Sequence, residues 1–262
     1  MINKIKIALP ALFLILMLAG CFKRDDATNI QVSVATGMAY LKFVNVYTAL
    51  NPSGASPATG PSVNIYVNNN KINATAVSYA GLFPSAPAYA GVTPGLATNV
   101  KVVLNRVGPQ LPGDTIINKN YDLPVNSYSS IFLVDSLPYA TPLNPNVLFI
   151  SENISNAPIG YFRARFINMI PSTDTLEVFS KVLQTVIFSG TLYKNGSNQV
   201  ELPVMAKSDT LQLRKVSAPL TVLAELRAFV PTSARVYTVY CNGLITSSSG
   251  SRARTLTSFT NR

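Results

Sequence analysis

The feature that most restricts this chain is a segment used twice. Lys42-Phe43-Val44-Asn45-Val46 returns as Arg165-Phe166-Ile167-Asn168-Met169: a base, an aromatic ring, an aliphatic residue, an asparagine and a further apolar residue. The surroundings return as well. Val63-Asn64-Ile65-Tyr66-Val67 matches Leu176-Glu177-Val178-Phe179-Ser180 in its alternation, Asn99 to Leu104 matches Asp209 to Arg214, and Tyr128 to Val134 corresponds to Tyr237 to Asn242. Leu148-Phe149-Ile150-Ser151-Glu152-Asn153 stands against Leu256-Thr257-Ser258-Phe259-Thr260-Asn261. Similarity kept in order over several segments predicts two copies of one structural unit.

That unit is predicted to be β. Runs rich in Val, Ile, Tyr, Phe and Thr alternate with clusters of Pro, Gly, Asn and Ser, and helix signals nearly vanish. Strands are predicted at 40–47, 63–68, 71–77, 98–105, 115–122, 128–135 and 146–152, then at 161–169, 175–180, 183–189, 198–204, 209–216, 221–229, 235–242 and 253–260. Seven or eight short strands in each half suggest a β-sandwich. Removing residues 1–20 leaves 242 residues, a comfortable length for two such domains. We expect them at 37–156 and 157–262, joined through Asn153–Ile159, where Pro158 and the polar composition suggest a hinge. Irregular stretches are expected at Leu50–Pro61 and Ser136–Pro145. Asn45 and Asn168 are expected to bond nearby backbone where the first strand of each half ends.

The basic-aromatic-aliphatic-Asn strand, followed by Val63-Asn64-Ile65-Tyr66-Val67 and an Asn-rich turn, resembles a bacterial envelope family of unestablished activity, the domain-of-unknown-function family 4397. The resemblance covers both halves. It implies immunoglobulin-like antiparallel β-sandwich domains in tandem, often lipid-anchored, and supplies no catalytic residues. The chain departs from the family pattern in the second strand, where Asn64 and Glu177 replace a common Asp.

The N-terminus predicts an address. Lys4 and Lys6 precede a run of about twelve residues, apolar but for Pro10, short of the roughly twenty that a spanning helix needs. Leu18-Ala19-Gly20-Cys21 then resembles the lipobox of bacterial lipoproteins. That resemblance implies a signal peptide at 1–20, cleavage before Cys21 and acyl chains such as palmitate on this cysteine, followed by a tether over 21–36. Two or more chains anchor stably where one does not. No Asp directly follows the cysteine, so the expected location is the outer membrane. Lys23-Arg24-Asp25-Asp26 is similar to the surface-export signal of Bacteroidetes lipoproteins, which would expose the protein on the cell surface.

Charge and cysteine content narrow the partners. The formal net charge is +10, and it is uneven: residues 27–156 carry five basic and four acidic side chains, residues 157–262 twelve and five. Such a balance suits anionic headgroups, polysaccharide or an acidic envelope protein. No basic run is dense enough for nucleic acid. With Cys21 lipidated, Cys241 has no partner for a disulfide and reads as a small buried side chain in a strand.

Catalysis is not expected, and neither a cofactor nor a metal. The chain has no histidine, which removes Ser-His-Asp and Cys-His systems and the usual zinc sites. No Ser is followed three residues later by Lys, no Asp-x-Asp-x-Asp loop is present, and no Gly-rich loop opens a helix. Asp174 and Glu177 lie an odd number of residues apart, which sends them to opposite faces of a strand.

Two patterns remain as candidate sites. Tyr79-Ala80-Gly81 and Tyr89-Ala90-Gly91 flank an apolar stretch broken by Pro84 and Pro87. The rings of Tyr79, Phe83 and Tyr89 could stack on a sugar or press into a partner protein, or they could cap the core. Asp114-Thr115-Ile116, Asp135-Ser136-Leu137, Asp174-Thr175-Leu176 and Asp209-Thr210-Leu211 are similar to the O-glycosylation sequon of Bacteroidetes exported proteins, with Thr115, Ser136, Thr175 and Thr210 as acceptors. Asp closing a turn before a strand explains the same triplets. The reading is an outer-membrane lipoprotein acting as a non-catalytic binding or adhesion module for glycan or protein, or else as a structural subunit of an envelope complex.

Overall fold

A computed structural model describes residues 37–47, 62–105, 115–134, 146–172, 174–250 and 252–262. The leader, Cys21, the tether, Asp114, Asp135 and Ser136 lie outside these residues.

The first half contributes β1 (Ala39–Asn45), β2 (Ser62–Val67), β3 (Asn70–Lys71), β4 (Leu82–Phe83), β5 (Ala90–Val92), β6 (Gly95–Asn105), β7 (Thr115–Leu123), β8 (Tyr128–Val134) and β9 (Asn146–Ser151). The second contributes β10 (Tyr161–Asn168), β11 (Leu176–Ser180), β12 (Thr185–Thr191), β13 (Asn195–Gly196), β14 (Val200–Pro203), β15 (Asp209–Lys215), β16 (Ala218–Phe229), β17 (Val236–Asn242) and β18 (Thr255–Thr260). The described residues hold no helix, so the fold is all-β.

The strand order repeats. One sheet runs β4-β1-β8-β9 with β5 also on β1, and its counterpart runs β13-β10-β17-β18 with β14 on β10. The other two sheets run β3-β2-β6-β7 and β12-β11-β15-β16. Most pairings are antiparallel, as expected. The exceptions are β1 with β8 and β10 with β17, which pair in parallel. The chain leaves β1, builds the other sheet and returns, and only such a long crossover allows parallel neighbours.

Alternation along the strands explains how the sheets stack. Leu41 and Phe43 on β1, with Ile131 and Leu133 on β8, point into a core shared with Val63, Ile65, Val100 and Val102. Their neighbours Val44 and Phe132 point the other way and meet Ile167, Tyr240 and Phe259 of the second half. On that half, Ala164, Phe166 and Val239 face a third core with Leu211 and Leu213. The two sheets carrying the parallel pairs are therefore covered on both faces, and the other two form outer layers. That double burial is why β1 and β17 read as near-continuous apolar runs. Residues 37–262 form one compact unit.

Asn45 and Asn168 do the same job in the two halves. Asn45 Nδ2 donates to Val77 O at 3.1 Å and its Oδ1 accepts from Tyr47 N at 3.3 Å. Asn168 Nδ2 donates to Thr191 O and its Oδ1 accepts from Ile170 N, both at 3.0 Å. Beside them Ala80 and Lys194 take matching left-handed conformations, φ 60° and 58°, and donate to the carbonyls of Asn45 and Asn168 respectively.

Two local expectations need correction. The strand over 71–77 ends at Lys71 because Asn73 substitutes for it. The buried Asn73 side chain accepts from Ile65 N at 2.7 Å and donates to Val63 O and Thr75 O, so side-chain amide replaces backbone beside β2. The apolar stretch between Tyr79 and Tyr89 contains β4, and β5 follows Tyr89 directly, both paired to β1. The segment 153–159, where composition suggests a hinge, carries side-chain hydrogen bonds within itself and to the second half. Asn153 Oδ1 accepts from Ser155 N and Oγ, Gln199 Nε2 donates to Asn153 O, and Arg163 Nη1 donates to Ser155 O.

Candidate functional site

Two of the residues that the sequence singles out, Tyr79 and Tyr89, stand where the halves meet. Tyr79 is 5% exposed, and its hydroxyl oxygen accepts from Asn242 Nδ2 at 3.1 Å. Tyr89 donates through its hydroxyl to Asn261 Oδ1 at 2.9 Å. Both rings thus reach from the first half to the second. Phe83 is half-buried against the first core and, with Pro84, lines a pocket of about 520 Å³ formed by residues 74–78 and 81–85. Of the three rings, Phe83 borders open space while Tyr79 and Tyr89 are committed to the junction.

Between the inner sheets lies a charged layer. Lys42 is fully buried, with its Nζ 3.4 Å from Pro87 O, 4.4 Å from the Tyr89 ring centroid and 4.9 Å from that of Phe259. Its counterpart in the repeat, Arg165, places Nη2 3.1 Å from Glu152 Oε2. The strand registers explain the convergence. Lys42 lies opposite Ser130, and Arg165 opposite Thr238, so all four stand on the faces that the two inner sheets turn to each other. Burial lowers the Lys42 ammonium to about 8, against the pull of Glu152. Burial raises the Glu152 carboxyl above its ordinary value, against Arg165, Ser130 and Lys42. Tyr89 is raised by burial first and by the Glu152 charge second. Two bases and one acid, walled by aromatic rings, give this layer a positive balance. With both halves pressed on it, its chemistry is that of a junction.

The triplet acceptors stand in varied settings. Thr115 is exposed at the start of β7, while Thr175 and Thr210 are half-buried. The acids before Thr175 and Thr210 are engaged. Asp174 pairs with Lys215 at 2.7 Å and accepts from Ser172 Oγ, and these bonds hold its carboxyl below the usual range. Asp209 is buried, accepts from Val182 N at 2.9 Å and from the Ser180 hydroxyl, and so closes the turn after β11. Ser136 lies outside the described residues. Arg254 donates to Leu223 O and Ile245 O. Cys241 is buried with its thiol on Asn168 Oδ1 at 3.3 Å, and burial pushes that thiol up to about 12. Among the described residues no three acidic, His or Cys side chains gather as a metal would need.

Sequence reasoning missed two things here. Lys42 gave no sign of being buried, since a lysine in a strand normally faces water. The outer face of the sheet β3-β2-β6-β7 collects asparagines from separate strands, and they meet only once the register is known.

No curated protein matches this chain. Residues 53–179 match the family model of a domain of unknown function, DUF4397. The matched span starts ahead of β2 and ends within β11, so it covers most of the first half and enters the second. It supports the family that the strand motifs resemble.

Proposed function

We propose that this protein is an outer-membrane lipoprotein, anchored through acylated Cys21, whose body is a non-catalytic binding or adhesion module for glycan or protein. The observation that carries the reading is Leu18-Ala19-Gly20-Cys21 at the end of a short apolar run, ahead of a body whose described residues form strands and no helix. The repeated strand order favours two tandem immunoglobulin-like sandwiches, one per half. Lys23-Arg24-Asp25-Asp26 favours the outer leaflet in a Bacteroidetes-like cell. Mass spectrometry of the membrane-extracted protein tests the anchor: we expect an acylated cysteine as the first residue. An intact leader, or a bare thiol at residue 21, overturns it. A glycan array probed with the intact protein tests binding.

One observation favours a second reading, a structural subunit of an envelope complex. β16 is a twelve-residue strand at the edge of its sheet, with Leu220 95% exposed. An open edge of that length suits strand addition by another chain. Arg254 already occupies the Leu223 carbonyl on it. A stoichiometric partner in pull-downs from membranes, lost on placing Pro at Thr221, supports this second reading.

A further inference from the structure

The outer face of the sheet β3-β2-β6-β7 carries six asparagines. Asn64 on β2, Asn99 and Asn105 on β6, Asn118 and Asn120 on β7, and Asn68 in the turn after β2 are all exposed or half-exposed. Register places them side by side. Asn99 lies opposite Asn120, Asn118 opposite Lys101, and Asn64 opposite Val103. One row crosses all four strands as Lys71, Tyr66, Lys101 and Asn118. A tyrosine ring thus lies between two lysines in a field of amides, with Lys101 Nζ 5.6 Å from the ring centroid.

The amides are held in place. Asn99 Nδ2 forks to Asn118 Oδ1 at 2.8 Å and Asn120 Oδ1 at 3.0 Å. Asn68 Oδ1 accepts from Asn99 N at 3.0 Å. Asn64 Nδ2 reaches Asn105 Oδ1 at 3.4 Å, and Asn105 Nδ2 reaches Ser62 Oγ at 3.2 Å. The fork fixes the oxygens of Asn118 and Asn120 inward and leaves their NH₂ groups toward solvent.

Such a face does not follow from the needs of the fold. Asparagine is depleted in strands, where Thr would serve solubility at lower cost. The repeat supplies an internal comparison. The equivalent face of the second half carries no asparagine on β11, β15 or β16. There Arg214 covers the Phe179 ring at 3.7 Å, and Gln212, Glu225 and Arg227 close a chain of hydrogen bonds among themselves. Two halves of one topology therefore present different faces, one of polar and charged side chains paired around Glu225 and one of exposed amides beside two lysines and a ring.

We propose that the outer face of β2, β6 and β7 binds an acidic polysaccharide. Planar amides pair with vicinal hydroxyls, an aromatic face receives the C–H side of a sugar ring, and ammonium groups meet carboxylates. Lys71 and Lys101 supply the charge, Tyr66 the ring, and Asn99, Asn118 and Asn120 the amide array. A protein partner would ask for aliphatic or aromatic anchors at its centre, and beside Tyr66 this face offers only Val103. A lipid surface would use the lysines but not the amides. The proposal rests on the binding-module reading and names the surface and ligand class within it.

The test uses the intact protein, with polygalacturonate, dextran and phosphatidylglycerol vesicles as probes. We expect polygalacturonate to bind, dextran to bind at least tenfold more weakly, and raised salt to weaken the former. Tyr66→Ala/Lys101→Ala and Asn118→Ala/Asn120→Ala should each lose tenfold or more with an unchanged melting temperature. Arg227→Ala, on the other outer face, should bind as the parent does. Retained binding in both folded double variants overturns the assignment to this face and leaves the module reading standing. Absence of polygalacturonate binding overturns the ligand class, and the glycan reading itself falls only if the array is also empty. Vesicle binding lost in the same variants replaces the polysaccharide with a lipid surface and also overturns the proposal.

Discussion

The hydroxyl of Tyr89 donates to Oδ1 of Asn261 over 2.9 Å, joining residues 172 positions apart in the chain. Asn261 is 2% exposed, and its amide nitrogen is in turn spent on Thr238 Oγ1 at 2.8 Å. Removing the donor leaves a buried acceptor with no replacement. Tyr89→Phe is expected to lower unfolding stability by about 1–3 kcal/mol while keeping the ring over Lys42. Chemical denaturation checks it, and a loss below a few tenths would show that water reaches the site.

The Glu152–Arg165 pair makes a larger claim. Its Arg and Glu side chains are 11% and 0% exposed. Arg165→Met strands a buried carboxylate and is expected to cost about 3–5 kcal/mol at neutral pH, whereas Arg165→Met combined with Glu152→Leu should regain much of it. A double variant as unstable as the single one would mean that packing, not charge, sets the cost.

Lys42 gives the junction a pH dependence. Its folded value, about 8, lies below the ordinary 10.5. Between those values the unfolded chain holds a proton that the folded chain has released. Stability from this group therefore rises with pH from about 8 upward. Near pH 10 the buried Tyr89 and Tyr240, raised by burial, oppose further gain because they resist the ionisation that unfolding allows. Denaturation midpoints at pH 7.5, 8.5 and 9.5 should climb in the parent and stay level relative to it in Lys42→Met.

Cys241 offers a readout of unfolding. A fully buried thiol held near 12 carries almost no thiolate at neutral pH. In a Cys21→Ser variant it is the one remaining cysteine. A maleimide should leave the folded protein unmodified for hours and label one site promptly in denaturant. Rapid labelling without denaturant would mean that the strands β10 and β17 part readily.

How much of this was legible in the sequence depended on what carried the signal. The strands predicted from alternation are present, because a two-residue period reports burial directly, except for 71–77, of which only Lys71 is in a strand. Asn45 and Asn168 were readable for the same reason, as polar residues closing apolar runs. The pairs β4 and β13, two residues each, were not, since so short a strand is defined by its partner and has no pattern of its own. Matching the halves by letter also slipped by a residue. Lining up Tyr128 with Tyr237 and Asn153 with Asn261 follows shared residue types. The registers instead pair Lys42 with Ser130 and Arg165 with Thr238, which makes Val236 the counterpart of Tyr128 and Asn261 that of Glu152. The charged layer and the amide face stayed hidden because both depend on which strands are neighbours. That is fixed by crossovers far apart in sequence.

The double covering of the inner sheets decides how the molecule can be taken apart. A protease nick within 153–160 would yield two fragments, one with Val44 and Phe132 on its surface and the other with Ile167 and Tyr240. Each piece keeps its own sandwiched interior yet would be sticky along one side. Such fragments should co-purify and complement each other when made separately, and either one alone should precipitate.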